Sequence, residues 1–323
     1  MVEYYEEKWI IPQRYCKLRD WIDKDKLNWK WLSENPNAIT MLKKNWKDAS
    51  LTLSSITTQG LSKKNRQEID WGFLSLNKNA INLLKKRIKY EKWIYMFLPM
   101  IKNKINWDYL SLNPNAIEIL EKNLNKINWD SICLNPNAIS ILEKNLDKIN
   151  WQILSANSNA IPILEKNLDK INWGRLSANP NAIVILKKNI DKIDWYNLSL
   201  NPNAIEILKQ NPDKIHWNLL SSNPNAIYLL DKTKDKIYCD LISRNLNRIL
   251  LLKNNLNIIN WKMISRNPSA IWLLEKNKDK IDWDFFSSNP AIFTYDYEKI
   301  KKEREQLNKE LIEYIYHPSR VFC

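Results

Sequence analysis

Trp107, Trp129, Trp151, Trp173, Trp195 and Trp217 recur every 22 residues, and after Cys239 replaces one Trp the series resumes at Trp261 and Trp283. A strict period of this length constrains the fold more than any other feature, because it is the mark of a solenoid whose small units each bury their apolar faces against neighbours. The regularity then reports stacking, not chemistry. These eight tryptophans are expected to form the structural core, and Trp173→Ala to cost about 3–5 kcal/mol as a core truncation. Only three glycines occur among 323 residues, so glycine-dependent hairpins and phosphate loops are disfavoured.

Each regular unit reads W-x-x-L-S-x-N-P-N-A-I-x-I-L-E-K-N-x-D-K-I-N. The residue before Trp is Asn or Asp at Asn128, Asn150, Asn172, Asp194, Asn260 and Asp282, which suits an N-cap accepting orphan backbone N–H groups. A short helix follows from Trp through Leu-Ser, its Trp and Leu three apart on one face. In Asn113-Pro114-Asn115-Ala116-Ile117 the Asn can cap a second, longer helix with Pro in its first position. That helix is predicted to end near Asn123 in a left-handed residue. Ala116, Ile117 and Leu120 form one stripe while Ile119 points elsewhere. Helices this short need an adjacent unit. The predicted fold is therefore an all-α solenoid of short helix–turn–helix repeats. The alternative is an α/β solenoid resembling leucine-rich repeats, with Lys-Ile-Asn-Trp as strand and N-P-N as an asparagine ladder. A dozen units at helix-packing distances of roughly 8–10 Å would make a curved rod on the order of 100 Å long.

The register divides the chain into an N-terminal cap (1–28), irregular basic repeats (29–106), regular 22-residue repeats (107–294), and a C-terminal capping helix and tail (295–323). Unit starts at Trp29, Leu51, Trp71 and Trp93 precede Trp107; the Leu51 unit is degenerate and the Trp93 unit short. Net charge is +14, and by count from the sequence residues 1–106 carry +10 of it. The N-terminus has no basic segment followed by an apolar run, and no stretch approaches 18 apolar residues, so neither secretion nor membrane spanning is expected. Four dispersed cysteines suit a reducing compartment, not a disulfide framework or a structural zinc site.

The block Leu18-Arg-Asp-Trp21-Ile-Asp23 with Leu27-Asn28-Trp29, the N-P-N-A-I and D-K-I-N-W units, and the closing His317-Pro318-Ser319-Arg320 together resemble a Trp-rich 22-residue repeat family of giant nucleocytoplasmic DNA viruses. The resemblance covers nearly the whole chain. It implies a viral protein placed in the host cytoplasm or in the virion, and it supplies no catalytic residues. Proteins of this kind often continue past the H-P-x-R motif, so any function of that extension is expected to be missing here.

No enzymatic motif is found in the chain, and neither a cofactor nor a metal is expected. His216 occupies the N-cap slot before Trp217 and reads as a structural substitute for Asn or Asp. His317 reads as a surface or capping residue. Asp147, Asp169, Asp191 and Asp213 recur in the inter-unit loop as solvated or turn-forming residues. A non-enzymatic scaffold binding a protein partner is the expected function. Its informative positions vary from unit to unit directly after the second-helix Ile, where Tyr228, Leu250 and Trp272 make an apolar run toward the C-terminus. The alternative is sequence-nonspecific nucleic-acid binding. Lys85, Lys86, Arg87, Lys89 and Lys92, with Lys63, Lys64 and Arg66, would align as a phosphate-neutralising stripe. The competing reading of these lysines is helix-dipole compensation and solubility.

Overall fold

A computed structural model describes residues 9–50, 69–94, 105–226, 229 and 259–316, with the side chains of 45–50 and 90–94 outside the description. It is an all-α solenoid. In the unit headed by Trp107, a helix Trp107–Leu112 is followed by a turn, a helix Ile117–Glu121 and a 3-10 turn Leu124–Lys126. The first helix starts as its capping residue dictates. Asn106 Oδ1 accepts from Tyr109 N, and Asn128, Asn150, Asn172, Asp194, Asn260 and Asp282 repeat the arrangement in their units. His216 holds the same backbone conformation but makes no side-chain cap bond.

The second helix departs from expectation. Pro114 does not open it; Asn113 Oδ1 instead accepts from Asn115 N in an Asx turn, and the helix begins at Ile117 behind an uncapped Ala116. Asn123 has φ −141°, not a left-handed value. Its Nδ2 donates to Ile119 O, standing in for a backbone donor at the helix end. Ile119 is buried with Ala116 and Leu120, while Ile117 is only half-buried. The tryptophans are also less enclosed than their spacing suggests. Trp107, Trp129, Trp151, Trp173, Trp195, Trp217, Trp261 and Trp283 are half-buried against a core made of Leu, Ile, Ala, Ser and Asn. A lysine from the 3-10 turn that closes the same unit covers each of several rings, as Lys126 does over Trp107 at 4.8 Å and Lys192 over Trp173 at 5.0 Å.

What joins the units is polar and buried. Asn135 Nδ2 donates to Ser111 O and Asn113 O of the unit before it at 2.9 and 3.0 Å. Asn157, Asn179, Asn201 and Asn223 do likewise in turn. A second ladder runs beside the first, with Asn137 Nδ2 on Pro114 O and its counterparts down the stack. The asparagine ladder is thus real, but it runs between helices. A third connection has the N-cap N–H donate to the previous unit's Ser Oγ, as Asn128 N does to Ser111.

These ladders do not stop at the ends of the chain. Asn35 in the first unit donates to Ser287 O and Asn289 O in the last, and Asn37 donates to Pro290 O. Asn28 N donates to Ser287 Oγ, and Lys26 covers Trp283 at 5.3 Å. The Trp29 unit is therefore placed against the Trp283 unit as any unit is placed against its predecessor. An antiparallel pair of short strands, β1 (Cys16–Leu18) and β2 (Phe293–Tyr295), seals the junction. The expected rod is instead a circuit that returns on itself; the unit headed by Cys239 lies outside the described residues. The described parts of the two expected caps, 9–28 and 295–316, meet at one seam, so they do not shield opposite termini.

Two expected unit starts are also corrected. Asn77 donates to Ser33 O and Asn35 O, and Asn113 to Ser75 O and Asn77 O. The stack therefore steps straight from Trp29 to Trp71 to Trp107. Trp93 lies near the end of a long second helix, Ile81–Ile94. Leu51 is outside the described residues, after another long second helix, Ile39–Ser50. Trp-headed helices of several successive units, among them Trp29–Glu34, Trp71–Leu76, Trp107–Leu112 and Trp129–Ile132, pack directly on one another, whereas the second helices Ile117–Glu121, Ile139–Glu143 and Ile161–Glu165 do not pack so closely. Such units are wedges, and the curvature places the Trp-headed helices on the inner side.

Candidate protein-binding face

On the Trp-headed helix, the fourth and fifth residues (Leu, Ser) face the core, which leaves the third and sixth on the inner side. The third residue varies most in chemistry. At the seam it is Phe285, Trp31, Phe73 and Tyr109 in four consecutive units, all half-buried. Trp31 stacks on Phe285 with centroids 5.5 Å apart and meets Phe73 edge-on at 5.2 Å; Phe73 meets Tyr109 at 6.0 Å. Lys262 lies over Phe285 at 4.9 Å and Lys30 over Phe73 at 5.0 Å. The result is a continuous aromatic row carrying two cations. Mutual packing of this kind holds each ring in place, so a ligand laid along the row would find its contacts already ordered.

At the sixth position, Arg266 pairs with Glu34 at 2.6 Å across the intervening Ser288, two units away along the stack. The Glu34 side chain is 8% exposed. A pair this enclosed ties down the rim beside the aromatic row, and removing one partner would strand the other charge.

The residues expected from sequence to bind partners fall elsewhere. Trp272 is half-buried against the core, so it is not part of an exposed apolar patch. Tyr228 and Leu250 lie outside the described residues. Lys63, Lys64 and Arg66 also lie outside them, as does the side chain of Lys92. Lys86 and Lys89 are exposed on the long second helix, and Lys43 and Lys44 are exposed on the long second helix of the adjacent unit. Lys85 pairs with Glu118 of the next unit, and Arg87 lies over the Trp71 ring at 4.8 Å. Asp147, Asp169, Asp191 and Asp213 are exposed in 3-10 turns.

Glu118 also bonds Lys122, and the hydrogen bonds from Lys122 and Lys85 hold its carboxyl down at about 2. A depressed carboxylate stabilises the fold above its ordinary pKa of 4.5 and loses that contribution as pH falls toward 2. Carboxyl-carbon NMR should therefore place the Glu118 midpoint near 2, and Lys85→Met should move it up. A midpoint near 4.5 in the unmodified chain would mean that the bridge between units does not form.

Cys133 occupies the Ser position of its unit and is buried, which pushes its thiol up to about 11; Cys16 is pushed up to about 12 for the same reason. Among the described residues no group of three or more His, Cys, Asp or Glu side chains could hold a metal ion, and no helix is long and apolar enough to cross a membrane. Comparison with protein-family models, curated proteins and solved structures gives no match for this chain.

Proposed function

We propose that the chain is a non-enzymatic scaffold that binds a protein partner along the aromatic row Phe285–Trp31–Phe73–Tyr109. The observation that carries this reading is the mutual ordering of four half-buried rings across the seam. Pre-positioned aromatic anchors dominate protein interfaces because they bury much area at little conformational cost. Lys30 and Lys262 beside the row favour a partner segment with acidic residues flanking apolar ones. The resemblance to giant-virus repeat proteins supports a role in the infected cell, in the cytoplasm or in the virion.

The test is capture from infected-cell extract with the full chain and with Trp31→Ala/Phe73→Ala. A stoichiometric partner held by the first should bind the second at least about thirtyfold more weakly, as expected when an interface loses 2 kcal/mol or more of anchor energy. Equal retention by both, or no stoichiometric partner, overturns the reading.

The exposed lysines Lys43, Lys44, Lys86 and Lys89 on adjacent units favour nucleic acid as the second reading. It requires affinity for random-sequence DNA or RNA that falls steeply with salt. It also requires weakening by Lys86→Glu/Lys89→Glu while Trp31→Ala/Phe73→Ala has no effect.

A further inference from the structure

Each module of a closed array touches only its two neighbours, so parting one junction leaves every module still packed on another. The junction least costly to part is the one that no chain crosses. That is the seam, where the Trp283 and Trp29 units are neighbours in space and remote in sequence. Two sets of contacts hold it. One is a fastening: Cys16–Leu18 pairs with Phe293–Tyr295, Arg19 Nε donates to Ala291 O at 2.8 Å, and the Tyr15 hydroxyl donates to Glu303 at 2.9 Å. The other belongs to the aromatic row and its rim, where Trp31 stacks on Phe285 and Arg266 pairs with Glu34. Parting the seam would leave Phe285 with Lys262 on one end of the chain. Trp31, Phe73, Tyr109 and Lys30 would stay on the other. Neither half is the site.

We propose that the seam is a latch that assembles the binding site, so that the partner is held only by the closed circuit. The inference rests on the aromatic row being the binding site. A segment that touches Phe285 and Trp31 together has affinity for the closed form alone, and it shifts the opening equilibrium toward that form. By the same linkage, whatever loosens the fastening weakens binding, although it touches no residue of the row. The fastening suits such a role because part of it stands in solvent. The Arg14 and Glu303 side chains that pair beside Tyr15 are 65% and 29% exposed, so they are released without disturbing the buried ladders. Local opening of this kind draws on the weakest contacts of a fold and leaves the remaining helices intact.

Fluorine NMR of the full chain with 4-fluorophenylalanine at Phe285 tests the latch, together with hydrogen exchange at the Asp296 amide, which donates to Tyr15 O across the seam. Trp31→Ala supplies the signal of an unstacked Phe285. In rising urea, that signal and Asp296 exchange should appear together, before the helical circular dichroism is lost. Arg19→Ala/Tyr15→Phe removes two fastening bonds and leaves the row unaltered. It should bring the early step to lower urea. It should also speed Asp296 exchange in the absence of urea at least about tenfold, the effect of losing about 1.4 kcal/mol. Tyr295→Cys, once oxidised to Cys16, should abolish the early step. The proposal is overturned if Phe285 of the doubly substituted chain unstacks only with global unfolding. It is equally overturned if Asp296 exchanges while Phe285 stays stacked, or if the early step survives the disulfide. None of these readouts involves a partner, so their failure is distinguishable from failure to capture one.

Discussion

Asn179→Ala is expected to cost about 3–6 kcal/mol, more than the loss of a half-buried repeat tryptophan such as Trp173. Asn179 is 1% exposed, and its side chain makes three hydrogen bonds. Nδ2 donates to Ser155 O and Asn157 O of the preceding unit, and Oδ1 accepts from Asn181 N. Alanine would remove all three at once and leave buried backbone groups without water to replace them, at roughly 1–3 kcal/mol each. Trp173, half-buried and covered on one side by Lys192, should cost only about 2–3 kcal/mol on truncation, below the range for fully buried aromatics. Urea denaturation of the two variants beside the parent decides the order. An Asn179→Ala loss under about 1 kcal/mol would show that the ladder is not what holds the units together.

Tyr295→Cys is expected to form a disulfide with the native Cys16 and to raise stability by up to about 5 kcal/mol, the limit for closing so long a loop. Cys16 and Tyr295 are directly opposed in the β1–β2 pair. The ladder bonds Arg19 N to Ile292 O and Asp296 N to Tyr15 O make theirs a non-hydrogen-bonded position, where opposed residues come closest. Because burial pushes the Cys16 thiol up to about 12, little thiolate exists at neutral pH and oxidation needs a catalyst such as copper-phenanthroline. Success reads as faster migration on a non-reducing gel and a denaturation midpoint that dithiothreitol returns to the parental value. Only intermolecular crosslinks, or none, would mean that the two ends of the chain do not meet.

Much of the unit was legible in the sequence. Asn or Asp before Trp, with apolar residues at helical spacing, specified the first helix and its cap, because these signals act over a few residues. The second helix was misread because Asn-Pro is compatible with both an N-cap and an Asx turn. The choice between them is made by Asn113's Nδ2, which needs carbonyls from another unit. The degree of Trp burial was overestimated because period alone does not say how far neighbours overlap.

Closure was not legible from any single unit, since it depends on curvature accumulated over the whole array. One clue did stand in the text: Asp25-Lys26-Leu27-Asn28 is an inter-unit linker with no unit before it. Its Lys and Asn use the last unit as their predecessor. The aromatic row escaped notice for the same reason, because Phe285 and Trp31 are remote in sequence and become neighbours only across the seam.

The wedge shape of the modules carries a consequence for their history. An open array can gain or lose a module by duplication or deletion and still offer two exposed ends. Here a single added or deleted module would require every remaining pair to adopt a new angle, or else part the two ends. Copy number is therefore mechanically constrained, and variation is expected as lengthened second helices, as in Ile39–Ser50 and Ile81–Ile94, in preference to extra turns of the wheel.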